Sequence, residues 1–233
     1  MKDTFFHSWQ ADIKQAKVIQ ETLAKKIIIS RLPSPLTKVA GFDVSYFKGR
    51  NILIGGMVIM NFPTLEVIHT KVKTNPISFP YVPGYLSFRE APVLLDLIAE
   101  IKETIDVYIF DGHGQAHPRG LGIAAHIGVW IDRPCVGCAK KKLVGDYDQP
   151  DNRRGAYGAL IYKGQMIGSV LRTKPGVKPV FVSIGHRTNL PESIDLILSC
   201  CTKYRIPEPL RQAHQLVTAY RKELEETLSN GKY

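Results

Sequence analysis

Three carboxylates occupy positions where charge is costly. Asp43 lies inside an apolar stretch between Phe42 and Val44, and Asp111 closes the run Val107–Phe110. Burying a carboxylate without a partner costs several kcal/mol, so each aspartate must be a cap, a paired structural group or a ligand. Glu90 lies between them in sequence. If the two aspartates stand on neighbouring strands with Glu90 nearby, the three repel unless a hard cation neutralises them. Mg2+ suits such a set, because it is held by one or two carboxylates together with water and phosphate oxygens.

Other residues invite weaker readings. Asp111-Gly112-His113-Gly114 lets backbone approach a ligand closely, but the glycine spacing matches neither dinucleotide-binding nor P-loop patterns. His214 shares a helical face with Leu210, Ala213 and Val217, which reads as a satisfied core histidine. Lys140 opens a run of three lysines that reads as a solvated turn. Cys135 and Cys138 form a C-x-x-C, yet the remaining pair, Cys200 and Cys201, is adjacent. That spacing makes neither a zinc ribbon nor a disulfide framework, and buried thiols are expected. Tyr81, in Pro80-Tyr81-Val82-Pro83, is a stiffened aromatic on a loop. A packing tyrosine does not need that rigidity, whereas a wedge driven into a base stack does.

The elements that position these groups follow from periodicity. Phe5, Trp9, Ile13, Ala16, Ile19 and Leu23 recur at helical spacing, so the first thirty residues are predicted as helix. Strands are predicted over 39–46, Ile52–Asn61 and 65–72, joined by short turns as an antiparallel meander. A proline-rich loop runs from Pro76 through Pro80 and Pro83 to Gly84. Helical spacing resumes with Phe88, Ala91, Leu94, Leu95, Ile98 and Ile101. Val107–Phe110 reads as a central strand buried on both faces. A helix over 120–130 and a strand at Cys135–Ala139 follow. Tyr157–Tyr162, 165–172 and 180–184 read as a further, peripheral set of strands, and helices over 191–204 and 207–228 close the chain. This is one α/β domain, residues 1–233, around a mixed central sheet flanked by helices.

The 233 residues carry 31 Lys+Arg against 21 Asp+Glu, a net charge of +10 that favours polyanionic partners. Hydrophobic residues at 44% exclude a disordered or fibrous chain. With neither a membrane-length apolar run nor a secretory h-region, a cytoplasmic location is expected.

The motifs resemble the endonuclease V family. Phe79-Pro-Tyr81-Val-Pro83-Gly84 with Phe88-Arg89-Glu90, then Phe110-Asp111-Gly112 and Ala116-His117-Pro118-Arg119 with Gly122-Ile123-Ala124, carry the resemblance. Val39-Ala-Gly-Phe-Asp43, Val136-Gly-Cys-Ala-Lys140, Arg172-Thr-Lys-Pro-Gly and Arg205-Ile-Pro-Glu-Pro-Leu-Arg-Gln-Ala-His214 extend it. The resemblance implies a ribonuclease H-like fold and repair of DNA bearing deoxyinosine or other deaminated bases. The family hydrolyses the second phosphodiester bond 3′ to the lesion, leaving 3′-hydroxyl and 5′-phosphate ends, with Mg2+ or, in its place, Mn2+. It further implies that Asp43 and Asp111 ligate the metal and that Glu90 completes the set directly or through water. Lys140 and His214 resemble the remaining catalytic groups. Pro80, Tyr81, Val82 and Pro83 resemble the DNA wedge, while Gly84, Leu86, Gly112 and Ile123, with His117 beside them, resemble the base pocket. His113 departs from the usual glutamine or asparagine and receives no role. A monomer without membrane association is expected. Three alternatives stay open: an inosine-specific endoribonuclease acting on single-stranded RNA, a damage-binding protein that does not cut, and a junction-resolving nuclease.

Overall fold

The computed structural model describes residues 7–229. Among the described residues the first regular element is helix α1 (Ile13–Ala24), whose start is fixed by a capping box. The Asp12 carboxylate accepts from the Gln15 amide, and the Gln15 side chain accepts from the Asp12 amide. That cap starts the helix at Ile13, so Trp9 lies outside it, in contrast to the sequence prediction. Trp9 instead packs its ring against Phe88, His126 and Trp130 at 5.9, 4.7 and 4.9 Å. Phe5 lies outside the described residues.

Strands β1 (Lys38–Phe47), β2 (Ile52–Asn61) and β3 (Val67–Pro76) form the predicted antiparallel meander. Pairing of β3 starts later than the hydrophobic pattern suggests, because Leu65 sits at a left-handed φ of 60°. It also continues through Pro76, which an edge strand tolerates because its missing N–H removes no ladder bond. Helix α2 (Leu86–Ala99) crosses to β4 (Val107–Phe110), and α3 (Ile123–Ile131) crosses to β5 (Cys135–Ala139). β4 runs parallel to both β1 and β5. Then come β6 (Tyr157–Tyr162), β7 (Gln165–Leu171) and β8 (Val180–His186), followed by helices α4 (Leu190–Ser199) and α5 (Glu208–Ser229).

The strand order is β3-β2-β1-β4-β5-β8-β7-β6. The last three strands are therefore not a peripheral set; β8 pairs antiparallel with β5 and makes the sheet continuous. The reason is visible in β8 itself, which is buried along its whole length. Helix α4 ends at Ser199 and not at Tyr204, and residues 200–207 fold back so that Thr173 Oγ1 donates to the Arg205 carbonyl at 2.7 Å.

The period-two alternation of the strands sorts the core into two layers. Val39, Val107 and Ile109 pack with Ile194, Ile197, Leu210 and Ala213 on the face covered by α4 and α5. Ala40, Phe42 and Phe110 pack with Leu94, Leu97, Ile123 and Ile127 on the face covered by α2 and α3. Asp43 continues the alternation of Val39 and Gly41 toward α5. All four cysteines are buried free thiols, as expected. Among the described residues no helix is long and apolar enough to cross a membrane.

Candidate active site

The sheet register places the two aspartates. Parallel pairing ends with Phe42 opposite Phe110, and the Asp111 amide donates to the Phe42 carbonyl at 3.2 Å. Asp43 and Asp111 are therefore the next residues on adjoining strands, projecting where β4 stops. A side chain placed by a ladder in this way cannot drift without sliding the strand.

His214 reaches Asp43 because of a glycine. A Cβ on Gly41 would stand 2.3 Å from the Pro209 carbonyl carbon, so only glycine lets the start of α5 rest on β1. From there helix and strand advance together. Five helical residues rise about 7.5 Å and two strand residues about 6.7 Å, which brings His214 level with Asp43. His214 Nδ1 lies 2.7 Å from Asp43 Oδ2. A carboxylate only accepts, so Nδ1 carries the hydrogen and Nε2 is the ring's remaining acceptor. The side chain is 57% exposed, which corrects the core-histidine reading. Leu210, Ala213 and Val217 are buried, but His214 sits at the edge of that stripe and turns to the carboxylate.

Lys140 follows the last residue of β5, and its ammonium is hydrogen-bonded to Asp111 Oδ2. This contact replaces the solvated-turn reading for Lys140. The Lys140 backbone is itself held: Arg205 Nη2 donates to the carbonyls of Lys140 and Pro179, each at 2.8 Å, and its Nε donates to Lys178 O at 2.6 Å. Burial pulls the Lys140 ammonium down in pKa, but the charge and hydrogen bond of Asp111, then Asp43, outweigh it for a net rise.

Glu90, on the second turn of α2, completes the electrostatic cluster. Burial first, then repulsion from Asp43 and Asp111, pushes its pKa up to about 8. Burial and Asp111 raise Asp43 as well, opposed by its bond to His214 and by Lys140. Among the described residues no three His, Cys, Asp or Glu side chains close into a ready-made metal cage. The donor chemistry nevertheless fits a hard divalent cation: Asp111 raises the proton affinity of Asp43, and both aspartates raise that of Glu90, a crowding of negative charge that a cation relieves. His113 is pushed down to about 4, chiefly by burial, so its ring is neutral; Nε2–H donates to the Lys141 carbonyl at 3.0 Å.

The predicted base-pocket residues form two groups. Gly112 and Ile123 are in contact, since a Cβ on Gly112 would meet Ile123 Cγ2 at 2.5 Å. His117 Nε2 donates to the Gly84 carbonyl at 2.9 Å. Leu86 is the first residue of α2, just past Gly84. The predicted wedge residues sit on the loop before them, where Tyr81 is 73% exposed between exposed Pro80 and Pro83, while Val82 packs toward Phe79 and Phe88. Gln20, not singled out in the sequence, and Arg119, present in a motif but given no role there, are both bonded to Gly84 O. Gln20 was findable: at helical spacing it is the polar residue on the buried stripe of Ala16 and Leu23.

The family model described as Endonuclease V matches residues 21–215. The endonuclease V of Roseiflexus castenholzii is 44% identical over 218 residues, covering 94% of this chain and 97% of the relative. The crystal structure of endonuclease V from Streptomyces avermitilis superposes with a TM-score of 0.89 at 36% identity, over 94% of this chain and 96% of that one. Endonuclease V from Ciona intestinalis, solved in complex with a 24mer DNA containing an inosine followed by a ribo-adenosine, has a TM-score of 0.76 at 30% identity, over 92% and 98% of the two chains. The shared fold is ribonuclease H-like.

Proposed function

The chain belongs to the endonuclease V family, and from that membership we propose that this nuclease recognises deaminated bases, chiefly inosine, in DNA and hydrolyses the second phosphodiester bond 3′ to the lesion. The products carry a 3′-hydroxyl and a 5′-phosphate, and the 233-residue chain works as one domain and a monomer. The observation that carries this reading is the paired arrangement of Asp43 and Asp111, each bonded to one cationic or titratable partner. The inosine-containing DNA held by the Ciona relative supports the substrate class.

Asp43, Asp111 and Glu90 would hold Mg2+, with Mn2+ able to substitute. Bound there, the divalent cation supplies positive charge to the attacking water and to the leaving oxygen. His214, held through Nδ1 by Asp43, presents Nε2 to orient water or take its proton. Lys140 stabilises the charge that develops on phosphate. Tyr81 enters the base stack and fills the gap left by the flipped base. Backbone around Gly84, Leu86, Gly112 and Ile123 lines the base pocket, with His117 at its edge. A pocket N–H directed at the hypoxanthine carbonyl would meet adenine's amine with an unpaired donor, which rejects the normal base.

The test is cleavage of matched inosine and adenosine strands, as DNA and as RNA, with and without Mg2+. Cutting of inosine DNA at the second 3′ phosphodiester, only with the cation, is the expected outcome; no cutting of it removes the proposal. The ribo-adenosine in the Ciona complex favours one second reading, an inosine-directed endoribonuclease. Cutting confined to the RNA strands would select it.

A further inference from the structure

The Tyr81 loop is held at both ends, at the second by residues remote in sequence, and its middle is left exposed. At the first end Phe79 is buried against Phe88, ring centroids 5.5 Å apart, and its carbonyl accepts from Arg89 Nη1 at 2.9 Å. At the second end three donors converge on one oxygen. The Gly84 carbonyl accepts from Gln20 Nε2 at 3.1 Å, His117 Nε2 at 2.9 Å and Arg119 Nη2 at 2.6 Å. Between these anchors lie two prolines and the exposed tyrosine ring. Proline limits the shapes such a loop can take; only its anchors decide where the loop stands relative to the rest of the site.

The second anchor is a closed network. Arg119 Nε donates to Gln20 Oε1 at 2.6 Å, which fixes the orientation of the Gln20 amide because a guanidinium cannot accept. The Gln20 Nε2 group then serves both the Gly84 carbonyl and the Leu121 carbonyl, each at 3.1 Å. Gln20 thus joins the end of the Tyr81 loop to the segment that leads into Ile123. The Arg119 guanidinium also stacks on Tyr85, 4.2 Å from the ring centroid. Gly84 itself is at φ 80°, and a Cβ there would stand 3.0 Å from Arg119 Nη2. Gln20 is 1% exposed. A buried amide with this many partners is expensive to leave half-satisfied.

We propose that Gln20 and Arg119 are positioning residues that lock the Tyr81 loop to the 112–123 side of the base pocket, so that wedge and pocket act on the same nucleotide. They touch neither the carboxylates nor a reacting atom; they act through Gly84. The inference rests on the reading of Tyr81 as a wedge. Loss of the lock lowers the fraction of molecules whose loop is competent. Apparent affinity then falls by that fraction, while the rate at saturation is kept.

The experiment measures single-turnover cleavage of duplex inosine DNA across enzyme concentrations. It compares the unsubstituted protein with Arg119→Lys, Gln20→Ala, Tyr81→Ala and the Arg119→Lys/Tyr81→Ala double variant, with the melting temperature of each. Arg119→Lys keeps the charge but loses the planar fork and the stack. It should raise the half-saturating concentration about tenfold and leave the saturated rate within about twofold. In the double variant it should add nothing to the loss from Tyr81→Ala, since both act through one element. Additive losses, an unchanged half-saturation, or a loss confined to the saturated rate would each overturn the proposal. If Arg119→Lys does not fold, Gln20→Ala carries the same comparison. If the unsubstituted protein leaves inosine DNA uncut, the functional reading fails by itself. The lock is then judged by hydrogen exchange of residues 79–85, which should speed up in Gln20→Ala; unchanged exchange there refutes it.

Discussion

The carboxylate centre and the Tyr81 loop hold their key side chains by opposite means. Asp43 and Asp111 are placed by backbone: they follow the last rung of a parallel ladder, and nothing short of a register slip moves them. Tyr81 has no ladder and depends on side chains that grip carbonyls at the ends of its loop. Each part is therefore vulnerable in a different way. Substitution at the centre should alter charge and chemistry while the fold stands. Substitution around the loop should alter placement while the chemistry stands.

The largest expected effect is at the centre. Asp43→Asn or Asp111→Asn should lower cleavage on the order of 10²–10⁴, with substrate binding retained. Melting temperature should hold or rise, because Asp43 and Asp111 repel one another. Near-normal cleavage in Mg2+ by either variant, or gross unfolding, would break the contrast. At the loop, Tyr81→Ala should weaken productive binding of duplex inosine DNA roughly 5- to 150-fold, the equivalent of ~1–3 kcal/mol of stacking. Single-stranded substrate needs less unstacking and should lose distinctly less. Equal losses on both substrates, accompanied by a lower melting temperature, would make Tyr81 a packing residue.

A third substitution probes how far backbone placement extends. Gly41→Ala forces a Cβ to 2.3 Å from the Pro209 carbonyl carbon, so α5 must move away from β1 and take His214 with it. Overpacking of this kind costs about 1–3 kcal/mol, or roughly 2–12 °C in melting temperature. Activity should fall together with stability, unlike Asp43→Asn. Activity preserved at a lowered melting temperature would separate His214 from the centre.

The smallest effect is one of pH, on the loop side. Burial, partly offset by the bond to the Gly84 carbonyl, pushes His117 down to about 4, and burial drives His126 well below its ordinary value. The unfolded chain therefore binds protons that the folded one refuses. The contribution of these two rings to stability is complete above the ordinary histidine pKa near 6.5 and is lost as the pH falls toward 4. Between pH 7 and 5.5, His117 alone should cost about 1 kcal/mol. Denaturant titrations across that range, comparing the unsubstituted protein with His117→Gln, measure it; an identical pH dependence in the two would mean that the His117 ring stays solvated.

Much of the fold was legible because it is written in local periodicity. The expected strands at Ile52–Asn61, Val107–Phe110, Cys135–Ala139 and Tyr157–Tyr162 match those observed, since apolar alternation or a wholly apolar run is itself the strand signal. The failures have local causes that periodicity does not encode. A capping box overrode the helical spacing of Trp9, and a left-handed Leu65 delayed β3. The two aspartates stood out for a simple reason, that charge inside an apolar strand is too costly to be idle.

The order of residues along the chain therefore carries most of the elements, the unusual carboxylates, the stiff aromatic loop and the family. Which of these residues meet is set by packing alone. Helical phase put His214 with the core, yet its exposure and its bond to Asp43 depend on how α5 lies across Gly41, 173 residues before His214. Lys140 became the partner of Asp111 only when β5 stopped beside β4. Gln20 and Arg119 meet at Gly84 from two segments 99 residues apart. Periodicity reports which face of an element is buried; it carries no information about what a distant segment brings to that face, because that depends on sheet order and packing across the whole chain.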